Sequence, residues 1–167
     1  MGGSTLYDDD ILLWSEQQAA AIRRLRDGRS TVPNELDTDN VAEEIESVGR
    51  SELAAAKSFV RLILLHLVKL AAEGDADAAG HWRGELAAFH SELADRYAPS
   101  MRQRVAIDAL WRDVAERLRL DPSLAGIDPI RLPSACPFDL DDIVGPAFEA
   151  SALAARLRAA LVEADAS

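Results

Sequence analysis

"VAEEIESVGRSELAAAKSFVRLILLHLVKL", residues 41–70, is the stretch whose reading decides the fold. At 3.6 residues per turn from Val41, one flank passes through Ile45, Val48, Glu52, Ala55, Phe59, Ile63, His66 and Leu70. That is an apolar stripe with two polar interruptions. Half a turn away lie Asp39, Glu43, Glu46, Arg50, Lys57 and Arg61, a charged ridge suited to water. Glu46 and Arg50 stand four apart, in the favourable order for a helical ion pair. Glu43 and Glu46 therefore read as solvated acids near the positive end of a helix. Glu44 sits at the margin of the stripe and is the better candidate for a specific contact.

This helix runs from about Asp39 to Ala72, roughly 50 Å at about 1.5 Å per residue. A domain of this chain length is only about 40 Å across. A bend, a break or a protruding end is expected, and Gly49 is the cheapest place for it.

The flanking segments read as helix too. Ile11, Trp14, Gln18, Ala21, Ile22 and Leu25 recur at three and four residues, after Asp8 to Asp10 and before Gly28. Trp82, Leu86, Phe89, Leu93 and Tyr97 mark a third helix that Pro99 ends. Ser100 with Gln103 has the spacing of a capping box for a fourth, carrying Ile107, Leu110, Trp111, Val114 and Leu118. Four prolines, at 122, 129, 133 and 137, predict a long irregular connection, with a short helical turn from Asp139. A last helix follows Pro146, anchored by Phe148, Leu153, Leu157 and Leu161. No stretch alternates with period two. The expected fold is all-α: a compact helical bundle of about five helices with a long second helix, forming a single domain over residues 1–167.

Composition narrows the function classes. A net charge of −11 repels phosphate, and the two lysines, Lys57 and Lys69, build no long basic patch. Direct nucleic-acid binding is therefore not expected. FVRLILLHLVKLAA is too short and too charged to span a bilayer. MGGSTLYDDD has neither a basic start nor an apolar core of a leader, so the chain reads as soluble and cytoplasmic. Cys136 is the one cysteine, which leaves no internal disulfide and no cysteine cluster for zinc.

Candidate chemistry is thin. Glu43 and Glu46 have helical spacing, but a di-metal bundle site needs Glu-x-x-His pairs, and none occurs. His81 and Glu85 could share an ion, yet two ligands are too few. "DTDN" opens like a calcium loop without its glycine and closing glutamate. No cofactor and no metal is expected. Glu52 and His66 are the oddities of the stripe, since a buried polar group needs a partner. About 21 Å of helix separates them, so they do not pair along it. Cys136 has only Arg131 as a nearby cation and reads as inert.

The segments "LYDDDILLWSEQQAAAIRRL", "LDTDNVAEEIESVGRSE", "HLVKL" and "CPFDLDDIV" resemble a bacterial family catalogued as domain of unknown function number 29. The resemblance covers Leu6 to about Val144, and Asn40 to Glu52 is its most specific part. It implies a small helical protein and brings no activity, cofactor or catalytic residue. Leu70 stands where a Trp is associated with the family, and residues 145–167 extend beyond the resembling part as a C-terminal helix.

Two readings of function follow. The favoured one is a non-enzymatic helical interaction module that binds a partner protein or self-associates. The alternative is an enzyme or small-ligand binder whose polar pocket uses Glu44, Glu52 and His66, supported by Arg50 or Trp14.

Overall fold

Several helices in this chain begin where a side chain accepts backbone amides at the first turn. The computed structural model describes residues 4–27, 33–73, 76–121 and 132–165. Helix α1 (Leu6–Asp9) starts under Asp8, whose carboxylate takes both the amide and the hydroxyl of Thr5. Helix α2 (Ile11–Asp27) starts under Asp10, which accepts the Leu13 amide at 3.0 Å. Helix α3 (Thr38–Ala72) follows Asp37, which accepts the Asn40 amide at 3.1 Å. Then come α4 (Ala76–Arg96), a 3₁₀ turn (Pro99–Arg104), α5 (Ile107–Leu120), α6 (Leu140–Val144) and α7 (Ala150–Asp165). Among the described residues there is no strand, and the fold is all-α. Five of these helices are long, and the long one is third in the chain because the short α1 precedes it.

Two boundaries differ from the sequence expectation. Ser100 does not cap the fourth long helix: Pro99–Arg104 is a 3₁₀ turn, and α5 begins at Ile107. Ser100 instead donates its amide (2.9 Å) and hydroxyl (2.7 Å) to Asp10, a contact across 90 residues that no local pattern announces. The last helix starts at Ala150, where Glu149 accepts the amides of Ser151 and Ala152. Phe148 lies before it and stacks on His90 at 4.4 Å. The expected stop at Gly28 and the prolines at 122 and 129 fall outside the described residues.

The chain forms two compact units: Met1–Ala55 with Tyr97–Arg104, and Ala56–Arg96 with Val105–Ser167. In the first, α2 and α3 are packed on their smallest side chains. Leu12, Ser15 and Ala19 are buried on α2, and Thr38, Ala42 and Gly49 on α3. A Cβ on Gly49 would fall on Ser15 Oγ and lie 3.1 Å from the Leu12 Cα. Gly49 is therefore a point of close helix–helix approach, and α3 runs through it without a break. Ser15 tolerates full burial because its hydroxyl donates to the Leu12 carbonyl at 2.9 Å. Asp10 is buried too. Burial alone would raise its pKa, but the hydrogen bonds from Leu13 and Ser100 outweigh it and hold the carboxyl below its usual range.

This seam rotates the expected faces by about one residue. The stripe through Val41 and Val48 is not the buried one here. These two valines are 36% and 44% exposed, and Leu25, expected on the inner face of α2, is exposed as well. Small residues win the seam because they let two backbones approach, and bulky neighbours are left on its shoulders.

The second unit holds the conventional core. From Ile63 to Val68 α3 is buried on every side, so its single-stripe description stops near Phe59. Leu86 and Leu93 of α4, Leu110, Trp111, Val114 and Leu118 of α5, Ile143 of α6, and Leu153 and Leu157 of α7 complete that core. Trp111 donates its indole N–H to the Pro133 carbonyl at 2.8 Å. Helix α7 belongs to this unit: Arg158 donates to the carbonyls of Leu70 (2.8 Å) and Ala71 (2.9 Å), which would otherwise be free at the end of α3.

Two glycine substitutions of opposite sign test the seam. Alanine favours a helix over glycine by roughly 0.5–1 kcal/mol. Gly84, on the exposed face of α4 with nothing near its missing Cβ, should gain about that when changed to Ala. Gly49→Ala should instead lose about 1–3 kcal/mol through overpacking against Ser15 and Leu12. Urea unfolding midpoints read both; an upward shift at position 49 would contradict the close approach.

Candidate functional site

The acids that stand out in the sequence sit on the first two turns of α3, and the structure sorts them. Arg23 of α2 donates to Glu46 at 2.7 Å and lies 3.8 Å from Glu43. Arg50 donates to Glu43 at 2.6 Å and lies 3.6 Å from Glu46. Two arginines and two glutamates thus form one closed network. As α2 advances from Ser15 to Arg23, its partners on α3 retreat from Gly49 to Glu46, so the pair is antiparallel. The Glu43 side chain is 57% exposed, but Glu46 is only 31% exposed, so it is not the fully solvated acid expected of it. The Arg23 hydrogen bond, reinforced by the charges of Arg23 and Arg50, holds the Glu46 carboxyl below its usual range.

Glu44 lies outside this network. It is exposed, and its backbone carbonyl accepts the Ser47 hydroxyl at 2.7 Å. Three residues after Val41 and four before Val48, it neighbours both valines on one side of the helix. Among the described residues no cation faces its carboxylate. Glu52, about two turns further along, is half-buried. Trp14 is half-buried on α2, and Tyr7 meets its ring edge-on at 4.8 Å, which seats α1 on α2. Glu44, Arg50, Glu52 and Trp14 all belong to the first unit, whereas His66 belongs to the second.

His66 is buried, and two acceptors face its ring. Nδ1 lies 2.8 Å from the Leu62 carbonyl and Nε2 lies 2.9 Å from Glu85 Oε2. Trp82 and Phe89 meet the ring edge-on at 5.6 and 5.0 Å. Lys69 lies over Trp82, 4.5 Å from its centroid. Glu85 also comes within 3.7 Å of His81, the pairing its sequence spacing suggests. The stronger His66–Glu85 contact joins α3 to α4 and has no sequence signal. Burial works first on the ring and lowers its pKa, with Lys69 in the same direction; Leu62 and Glu85 oppose it.

Other chemistry is muted. Among the described residues no group of three or more His, Cys, Asp or Glu side chains is disposed to hold a metal ion. Burial pushes the Cys136 thiol up to about 11, which leaves it an unreactive thiol at neutral pH. A groove of about 600 Å³ beside α5 is lined by Ser58, Arg61, Leu62, Asp113, Glu116 and Arg117. Its charges balance, and Arg61 is already bonded to Asp113 at 3.0 Å. Among the described residues no helix is long and apolar enough to cross a membrane.

With this geometry in hand, the comparisons with known proteins decide the family. The model of a domain of unknown function, DUF29, matches residues 6–149. The chain belongs to the DUF29 family. It is also similar to an alpha-helical protein of unknown function from Rhodospirillum rubrum, known from a crystal structure at 1.45 Å. The two share 31% identity with a TM-score of 0.83, over 93% of this chain and 99% of the other. No curated protein matches the sequence. The DUF29 match takes in all of α1 to α6 and stops just before α7.

The His66 environment gives this DUF29 chain a pH signature. A neutral ring serves one of its two acceptors and an imidazolium serves both, yet burial disfavours the charge. With a folded pKa below the ordinary 6.5, the unfolded chain binds more protons between the two values. Stability should therefore rise with pH across that window, with the full penalty present below the folded pKa and gone above about 6.5. An NMR titration of the ring checks the direction, and His66→Gln should flatten that part of the stability curve. A ring midpoint above the ordinary value would mean that the two acceptors outweigh burial.

Proposed function

We propose that this chain is a non-enzymatic helical interaction module, and that its contact face is the exposed flank of α3 near its N-terminus. One observation carries the reading. Val41 and Val48, two helical turns apart on one side, stay 36% and 44% exposed while the same helix buries its small residues against α2. Leu36, just before α3, is 45% exposed and adds to the apolar surface at that end. Single exposed apolar residues are ordinary, but an in-register pair on one helix face is the pattern by which helices are read in grooves or by other helices.

The ligand-pocket alternative has less support. Both nitrogens of His66 already face protein acceptors, and Glu44 lies on an open helix surface. No groove described above includes Glu44, Glu52 or His66.

Site-specific photo-crosslinking tests the contact face. A benzophenone amino acid is placed at Val48 or, as a control, at exposed Ala87 of α4, and cells of the native host are irradiated. A discrete protein adduct from position 48 and none from position 87 is the expected result. No adduct from either position, or the same adducts from both, would count against α3 as a contact face. Val48→Ser should change folding stability by no more than about 0.5 kcal/mol, because the side chain is not in the seam.

A further inference from the structure

We infer that the occupant of the Val41–Val48 flank is a cationic amphipathic helix of another protein, not a second copy of this chain. The inference rests on the reading of α3 as a contact face and adds the chemistry of the partner. Residues 33–55 carry seven carboxylates and a single arginine. That arginine, Arg50, is held by Glu43 and Glu46, and Arg23 of α2 is held by the same two acids. The network therefore engages Arg23 and Arg50, and among the described residues no cation faces Glu44, which stays on the stripe between the two valines. Glu35 and Asp37, both exposed, continue the negative surface past the start of α3.

A symmetric dimer would lay this surface on itself. Its centre would be Glu44 and Ile45, so the two copies would bring like charges together along the same apolar strip. A foreign helix with leucine-like residues every three or four positions and Lys or Arg alongside meets every demand. Its apolar residues cover Val41 and Val48, and a cation reaches Glu44. Like charges are neutralised rather than opposed, and association is faster at low salt.

The test uses the full chain and two synthetic helical peptides of about 18 residues, long enough to hold a helix. Both carry the same leucine spacing; one has lysines at its polar positions, the other glutamates. Fluorescence anisotropy reads binding at about 0.05 M and about 0.3 M salt, where screening differs strongly. Sedimentation velocity reads the oligomeric state. The inference expects a monomer that binds the lysine peptide and ignores the glutamate peptide. Val48→Asp adds an acid yet should weaken lysine-peptide binding at least about tenfold, because it spoils the apolar strip. Glu44→Gln should weaken it by a few-fold and flatten its salt dependence, and Glu92→Gln on α4 should do neither.

Binding of the lysine peptide that is indifferent to Val48→Asp would be unspecific attraction and would overturn the inference. Equal binding of the glutamate peptide would overturn the charge argument while leaving the contact face in place. A dimer that Val48→Asp dissolves would keep the contact face and replace the partner class with a second copy. A monomer that binds neither peptide would remove the inference, and with crosslinks also absent at position 48 the contact face would go too.

Discussion

The close approach of α2 and α3 at Gly49 governs the first unit. Two helix backbones come near enough there that the space of one methyl group is already occupied by Ser15 Oγ. Such proximity selects side chains by size before hydrophobicity. Ala42 and Gly49 lie inward on α3, as do Ser15 and Ala19 on α2, and each is at or near zero exposure. Bulky apolar side chains at the same positions would force the pair apart. The valines that dominate any hydropathy reading are therefore placed to one side, where they stay 36% and 44% exposed. The open flank of α3 is a product of that rotation.

The fold class was legible because the 3.6-residue period runs through nearly every segment. Helix starts near Asp10, Asp39 and Asp139 were legible in kind, since short acids before apolar runs favour helix starts, and α3 begins one residue earlier, behind Asp37. The buried face of α3 was not. A pattern that ranks Val above Gly and Ala places Val41 and Val48 inside; packing distance reverses that order. Contacts far apart in sequence were equally silent. Nothing near Ser100 indicates that it serves Asp10, and nothing near His66 points to Glu85. A serine three residues before a glutamine satisfies the local pattern of a cap, and a tertiary contact with Asp10 takes its place. Glu44 is the opposite case: its place at the margin of the stripe followed from helical spacing alone, and the structure leaves it there, exposed.

Charge is distributed by the same logic. The buried acid, Asp10, carries three hydrogen bonds and fixes α2 to the 3₁₀ turn within the first unit. The half-buried acid, Glu46, is tied to Arg23 across the helix pair. In the second unit Arg156 plays a comparable part, bonding Asp142 at 2.6 Å and the Pro137 carbonyl. Arginine's planar fork suits these two-sided roles, which a lysine point charge fills less well. A chain with sixteen arginines and two lysines thus commits much of its positive charge to structure.

The same helix solves two different problems along its length. From Ile63 to Val68 it is enclosed on all sides, so hydrophobic residues there need no function beyond the core. Before Ala55 it has one covered seam and one open flank. An exposed valine by itself means nothing, since much of any protein surface is apolar. Two valines at i and i+7, with a glutamate between them and Arg23 and Arg50 engaged by Glu43 and Glu46, form a surface with a periodicity, a polarity and a sign. A helical partner would have to match all three, and a second copy of this chain matches only the first two.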